Sequence, residues 1–127
     1  MRARMLTLSG LAVLSLSVPA LAAECTVEDR STLEDVMAQA PSCAAAYKMF
    51  EDCALGGSGD VSLGEAVQEK CEGSFLSKLD AAKKTAYNKQ LTACDRKYAK
   101  REGTMYRSAT AFCRAGTARD YAKKFAK

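Results

Sequence analysis

Histidine and tryptophan are absent from the 127 residues, and proline occurs only twice. Without histidine there is no Ser-His or Cys-His pair to activate a nucleophile, and no imidazole to complete a zinc site. The six cysteines, at 25, 43, 53, 71, 94 and 113, include no Cys-x-x-Cys pair. Ser74 and Ser77 stand near Lys78 but form no Ser-x-x-Lys motif. Aromatic residues are only 7% of the chain, and much of its apolar content is alanine. A cavity for apolar cargo therefore has few bulky side chains to line it. No alternating apolar-polar run suggests a strand, so the expected class is all-α. These shortages predict a binding protein, not an enzyme, with no cofactor and no metal.

Arg2 and Arg4 head an apolar stretch over residues 6–18, and Pro19 precedes Ala20-Leu21-Ala22. That is the pattern of a cleaved secretory signal, too short in its apolar part to span a bilayer. Glu24 separates this segment from Cys25, which speaks against a lipid-modified cysteine. The expectation is a signal peptide over 1–23 and one domain over 24–127, periplasmic or secreted, with no stable membrane anchor. Six cysteines behind an export signal imply three disulfides in an oxidising compartment.

Charge is divided along the chain. Residues 23–80 hold 12 acidic and 4 basic side chains, net −8, whereas residues 81–127 hold 13 basic and 3 acidic, net +10. Two readings follow: the halves pack together and attract one another, or one of them meets a charged partner. The basic half lacks the aromatic interleaving of a nucleic-acid binder, so none is expected as a partner.

The element pattern predicts a short first helix from Thr26, with Asp29 completing a capping box and Leu33, Val36 and Met37 forming its apolar stripe. Pro41 breaks it. Ser42 opens a second helix through Cys53, closed by Gly56-Gly57-Ser58-Gly59, which reads as a plain turn. Ser62 with Glu65 predicts the start of a third helix, interrupted at Gly73. The longest helix is expected from Ser74 to Gly103, with Leu76, Leu79, Tyr87, Leu91, Cys94 and Tyr98 on one face. Its other face, with Lys84, Lys89, Asp95 and Arg96, reads as solvated. A last helix capped by Thr104 carries Met105, Ala109, Phe112, Cys113 and Gly116, with a bend at Thr117. Tyr121 and Phe125 are expected to pack on the body, leaving Lys123, Lys124 and Lys127 in solvent.

Six cysteines permit fifteen pairings, but the turns narrow them. In an antiparallel hairpin, residues equidistant from the turn face each other. Cys94 and Cys113 centre beside Gly103, Cys43 and Cys71 centre in the glycine loop, and Cys25 and Cys53 centre beside Pro41. The predicted bridges are 25–53, 43–71 and 94–113, each contributing roughly 3 kcal/mol by restricting the unfolded chain. The predicted fold is a small disulfide-stapled helical bundle built on a long antiparallel hairpin.

Cys71, then Leu79-Asp80, then Tyr87, with a closing helix that reaches Cys113, resembles the LprI-type lysozyme inhibitors, a family of small secreted helical bacterial domains. The resemblance covers residues 53–113, with Cys53 and Cys71 standing where the family has its leading cysteines. It implies a domain that blocks a lysozyme-like cell-wall hydrolase. Such enzymes are strongly cationic, which directs attention to the acidic half and to Glu28, Asp29, Glu34, Asp35 and Asp80 as partner-binding residues. Without the resemblance, paired carboxylates such as Glu28-Asp29 and Glu34-Asp35 read as a solvated acidic face. Asp80 then reads as a surface carboxylate paired with Lys83 or Lys84, and Tyr87 as a core aromatic. A small carrier with an apolar ligand between its helices, or a structural envelope protein, are the alternative functions.

Overall fold

In the computed structural model, which describes residues 24–127, every regular element is helical. The expected signal segment, 1–23, lies outside the described residues. After a 3₁₀ turn, Arg30–Thr32, come α1 (Leu33–Ala38), α2 (Cys43–Cys53) and α3 (Asp60–Phe75). A second 3₁₀ turn, Leu76–Lys78, leads into α4 (Ala81–Tyr98), and α5 (Thr104–Phe125) closes the chain. The fold is a small all-α bundle stapled by three disulfides: Cys25–Cys53, Cys43–Cys71 and Cys94–Cys113. These are the pairs that the turn positions call for, and they fit an oxidising compartment. No helix among the described residues is long and apolar enough to cross a membrane.

Helix α3 is the centre. It runs antiparallel to α2, as the Cys43–Cys71 bridge requires, and parallel to α5. Asp60 meets Ser108, Gly64 meets Ala111 and Gln68 meets Arg114 in step along the two helices. Helix α4 returns antiparallel, tied to α5 by Cys94–Cys113 and by Gln90 Nε2 donating to the Tyr121 hydroxyl. The face of α5 turned inward is Ser108, Ala111, Ala115, Ala118 and Ala122, a small residue at every third or fourth position. Small side chains let two helix backbones approach closely. A Cβ on Gly64 would sit 2.8 Å from the Ala111 Cβ and 3.2 Å from the Ala111 carbonyl oxygen.

Bulky groups fill what this close seam leaves open. Phe50 stacks on Phe112 with ring centres 4.1 Å apart. At the other end Phe75 meets Tyr87 edge-on at 5.2 Å, and Tyr121 packs 4.8 Å from Tyr87 and 5.4 Å from Phe125. The aromatics of the C-terminal tail therefore pack on the body, with Lys123, Lys124 and Lys127 exposed.

Several expected boundaries move. The chain is not helical from Thr26; Asp29 itself is the cap, accepting from the Ser31 N–H, and helix begins only after it. Ser62 does not open α3, which starts at Asp60 because the glycine loop folds back on that carboxylate. Gly73 does not interrupt α3 either, since a solvated glycine costs a helix only about 1 kcal/mol and leaves its hydrogen bonds intact. The predicted 74–103 helix is broken at residues 76–80 instead. Leu79 turns extended to bury its side chain, and Asp80 caps α4 by accepting from the Lys83 N–H at 2.8 Å. The longest helix is therefore α5, with 22 residues and no bend at Thr117, whose hydroxyl donates to the Cys113 carbonyl inside the helix. Its cap position is Gly103, at φ 110°, not Thr104. Met105 is 60% exposed.

The seam makes opposite predictions for two glycines of one helix. Gly64→Ala is expected to destabilise the protein by about 1–2 kcal/mol through overpacking. Gly73→Ala, with nothing within 4 Å of the added carbon, is expected to stabilise by about 0.5–1 kcal/mol. Urea unfolding of the two variants, and of Gly64→Ala combined with Ala111→Gly to restore room, checks the assignment.

Candidate functional site

The acidic residues singled out in the sequence do not form one face. Glu28 and Asp29 precede the first helix, and Asp29 is engaged locally, accepting from the Ser31 N–H at 3.0 Å and the Ser31 hydroxyl at 2.7 Å. Those two bonds hold its carboxyl below the usual aspartate range, against a slight opposing effect of burial. Glu34 and Asp35 lie in the first turn of α1, where the helix dipole favours them, and both are exposed and in no ion pair. Asp80 is not on this face. It follows the far end of α3, near the α5 C-terminus that Lys78 reaches through the Ala126 carbonyl. Glu34 lies instead beside Leu63 and Thr104, near the beginnings of α3 and α5, and the 16 residues of α3 separate the two sites by roughly 24 Å. Asp80 serves as a helix cap and pairs with the Lys83 ammonium at 2.7 Å, and both Lys83 bonds hold its carboxyl low.

The end of the bundle that carries Glu34 is shaped by the aspartate that follows the glycine loop, a loop read from the sequence as a plain turn. Asp60 is 2% exposed. One carboxylate oxygen accepts from the Leu55 N–H at 3.0 Å. The other accepts from the Gly56 N–H at 2.7 Å, the Gly57 N–H at 3.2 Å and the Ser108 hydroxyl at 2.7 Å. Burial pushes this carboxyl upward, but the backbone and hydroxyl donors outweigh it, and it lies below the usual aspartate value. The glycine loop is thus wrapped around an anion supplied by its own chain. Glycine is needed at 56, where φ is +76°. The wrapped loop presents Leu55 outward at 75% exposure. A groove of about 470 Å³ runs beside it, lined by Arg30, Leu33, Glu34, Leu63 and Thr104 together with the loop.

A second groove, of about 460 Å³, lies between α3 and α5 over the Gly64–Ala111 contact, with Glu65 and Glu69 on one wall and Arg107 and Arg114 on the other. Its far end is a polar chain. Arg114 grips both oxygens of Asp95, at 2.9 and 2.8 Å, and donates to Gln68, which donates to Glu72. Glu72 also accepts from the buried Tyr87 hydroxyl at 2.7 Å. Burial, then the Glu72 carboxylate, raise the Tyr87 phenol far above its usual value, so it stays a neutral donor. Asp95, expected on the free face of α4, is therefore the α4 end of this chain.

The opposite charges of the two halves do not pair across their interface. Among the described residues Lys48–Asp52 joins two members of the acidic half, while Arg114–Asp95 and Arg119–Asp120 join members of the basic half. Only Lys83–Asp80 spans the division, between residues three apart. The halves meet through apolar surface and through hydrogen bonds such as Ser108–Asp60, Arg114–Gln68 and Tyr87–Glu72, with no long-range ion pair between them among the described residues. The signal that could have exposed Asp60 was present: a glycine-rich turn directly followed by aspartate is a common way for a carboxylate to collect backbone donors. The α3–α5 groove had no such signal, because it arises from helix pairing. A comparison of the chain with protein-family models, curated proteins and solved structures finds no match.

Asp60→Ala is expected to cost about 3 kcal/mol, since four donors lose a charged, buried acceptor. Because the folded-state pKa lies below the unfolded one, Asp60 contributes full stability above about pH 4 and loses it as pH falls through the lower folded value. Urea midpoints measured from pH 6 downward should fall less steeply in Asp60→Asn than in the parent.

Proposed function

We propose that this protein is a secreted protein-binding domain, not an enzyme, that occludes a lysozyme-like cell-wall hydrolase. The observation that carries this reading is Leu55, a large apolar side chain 75% exposed on a loop whose backbone is already fixed by Asp60. An apolar anchor on an ordered loop is how interfaces concentrate binding energy, because little ordering remains to be done on association. Met105, the other large exposed apolar side chain, lies one residue from Thr104 on the groove that Leu55 borders. Glu34 lines that groove and Asp35 follows it, with Glu28 nearby in sequence, so a cationic partner would be steered toward this end. An inhibitor needs no reactive group, only a rigid shape, and three disulfides supply rigidity. The resemblance to LprI-type proteins points the same way. A carrier of apolar cargo is less well supported, because the α3–α5 groove is open and walled by Glu65, Glu69, Arg107 and Arg114.

The test is lysis of cell walls by lysozyme in the presence of the oxidised protein at low and moderate salt. Leu55→Ala is expected to weaken inhibition by about tenfold or more, the loss typical of a central apolar anchor, with the thermal midpoint unchanged. Glu34→Lys with Asp35→Lys is expected to slow association and to abolish the salt dependence. Absence of inhibition at large molar excess at either salt would remove lysozyme as the target.

A further inference from the structure

The basic half presents a second surface, and we propose that the outer face of α4 binds an extended anionic polysaccharide. Tyr87, Leu91 and Cys94 turn α4 inward, which places Thr85, Lys89, Thr92 and Arg96 on the opposite side, one helical turn apart in sequence. These four and Asn88 line a shallow depression of about 350 Å³ on the exterior of the helix. Lys97 adjoins the row and Lys100 and Arg101 follow past the helix end, whereas Lys84 borders a separate depression with Glu72. None of these six cations forms an ion pair with a described carboxylate, and Asp95, the sole acidic residue within α4, is taken up by Arg114. The result is two unpaired cations on the outer face, Lys89 and Arg96, about 10 Å apart along the helix axis, with further basic side chains beyond its end.

The chemistry between the cations selects the class of anion. The lining holds no aromatic ring on which a nucleobase could stack. It holds no apolar side chain to enter the acyl region of a membrane. It holds the Thr92 hydroxyl and the Asn88 carboxamide, which exchange hydrogen bonds with sugar hydroxyls, and the Thr85 hydroxyl, which donates to the Ala81 carbonyl and is left to accept, while Lys89 and Arg96 meet the carboxylate or sulfate groups. This face is separate from Leu55 and Glu34, so glycan attachment and protein binding can occur together.

Binding of the oxidised protein to heparin and to polygalacturonate, measured across a salt series, tests the assignment. Lys89→Glu with Arg96→Glu is expected to weaken binding by at least about tenfold. Lys123→Glu with Lys124→Glu, the same change in net charge elsewhere, is expected to weaken it by no more than about threefold. Equal losses in the two variants, or none in the first, would overturn the site. Thr85→Ala with Asn88→Ala keeps the charge and should weaken glycan binding while leaving binding to phosphatidylglycerol vesicles unchanged. If those vesicles, or a single-stranded oligonucleotide, displace the protein from glycan at lower charge concentration than free glycan does, the polysaccharide assignment fails.

Discussion

The close approach of α3 and α5 sets the rest of the structure. Two parallel helices meet through glycine on one side and an alanine row on the other, so their backbones are nearer than leucine-lined helices permit. That distance leaves no room for large side chains between them and displaces the aromatics to the flanks, where Phe50–Phe112 and Phe75–Tyr87–Tyr121 form separate clusters. The Asp60–Ser108 hydrogen bond pins the register at one end, and the Gln68–Arg114 bond holds it midway. A shift of α5 by one residue would bring Thr110 or Phe112 to the place of Ala111, against Gly64. Small residues thus do the specifying here, by limiting which alignments fit.

Much of the architecture was legible in the sequence, and what was not has a common physical origin. The helical class followed from periodicity, and the disulfide pairing followed from symmetry about turns. Pro41 ended the first helix as its missing N–H requires. The misreadings arise where tertiary packing decides a local question. Before Asp80 nothing in the local composition of 74–79 announces a break, because Leu79 leaves the helix to reach the core. The inward face of α5 gives no strong hydrophobic signal, because proximity to α3 selects for alanine and serine there. Of the candidate site, Glu34 and Asp35 were correctly read as exposed acidic side chains. Asp80 was grouped with them through the Leu79-Asp80 motif of the resemblance, whereas its reading as a surface carboxylate paired with Lys83 matches the structure, where it also caps α4.

Few of the charges in this molecule are paired with one another. The strongest internal electrostatic features, Asp60 with its four donors and Arg114 with Asp95, each satisfy a local geometry. The remaining acidic and basic side chains stay on opposite halves, unpaired across the seam.

The disulfides carry a consequence for the covalent unity of the chain. The loops closed by Cys25–Cys53 and Cys43–Cys71 interleave, so the backbone from Cys25 to Cys71 stays linked if it is cut once. The Cys94–Cys113 loop does the same for the α4–α5 turn. No bridge spans residues 72–93, and within them Ser77, Lys78 and Asp80 are exposed, at the point where the sign of charge changes. A single nick there would divide the protein into an acidic piece and a basic piece, each internally cross-linked, joined only by noncovalent contacts: the alanine seam, the aromatic clusters and hydrogen bonds such as Asp60–Ser108. The molecule is in this sense a split protein in one chain, two separately stapled blocks whose reassociation depends on noncovalent fit alone.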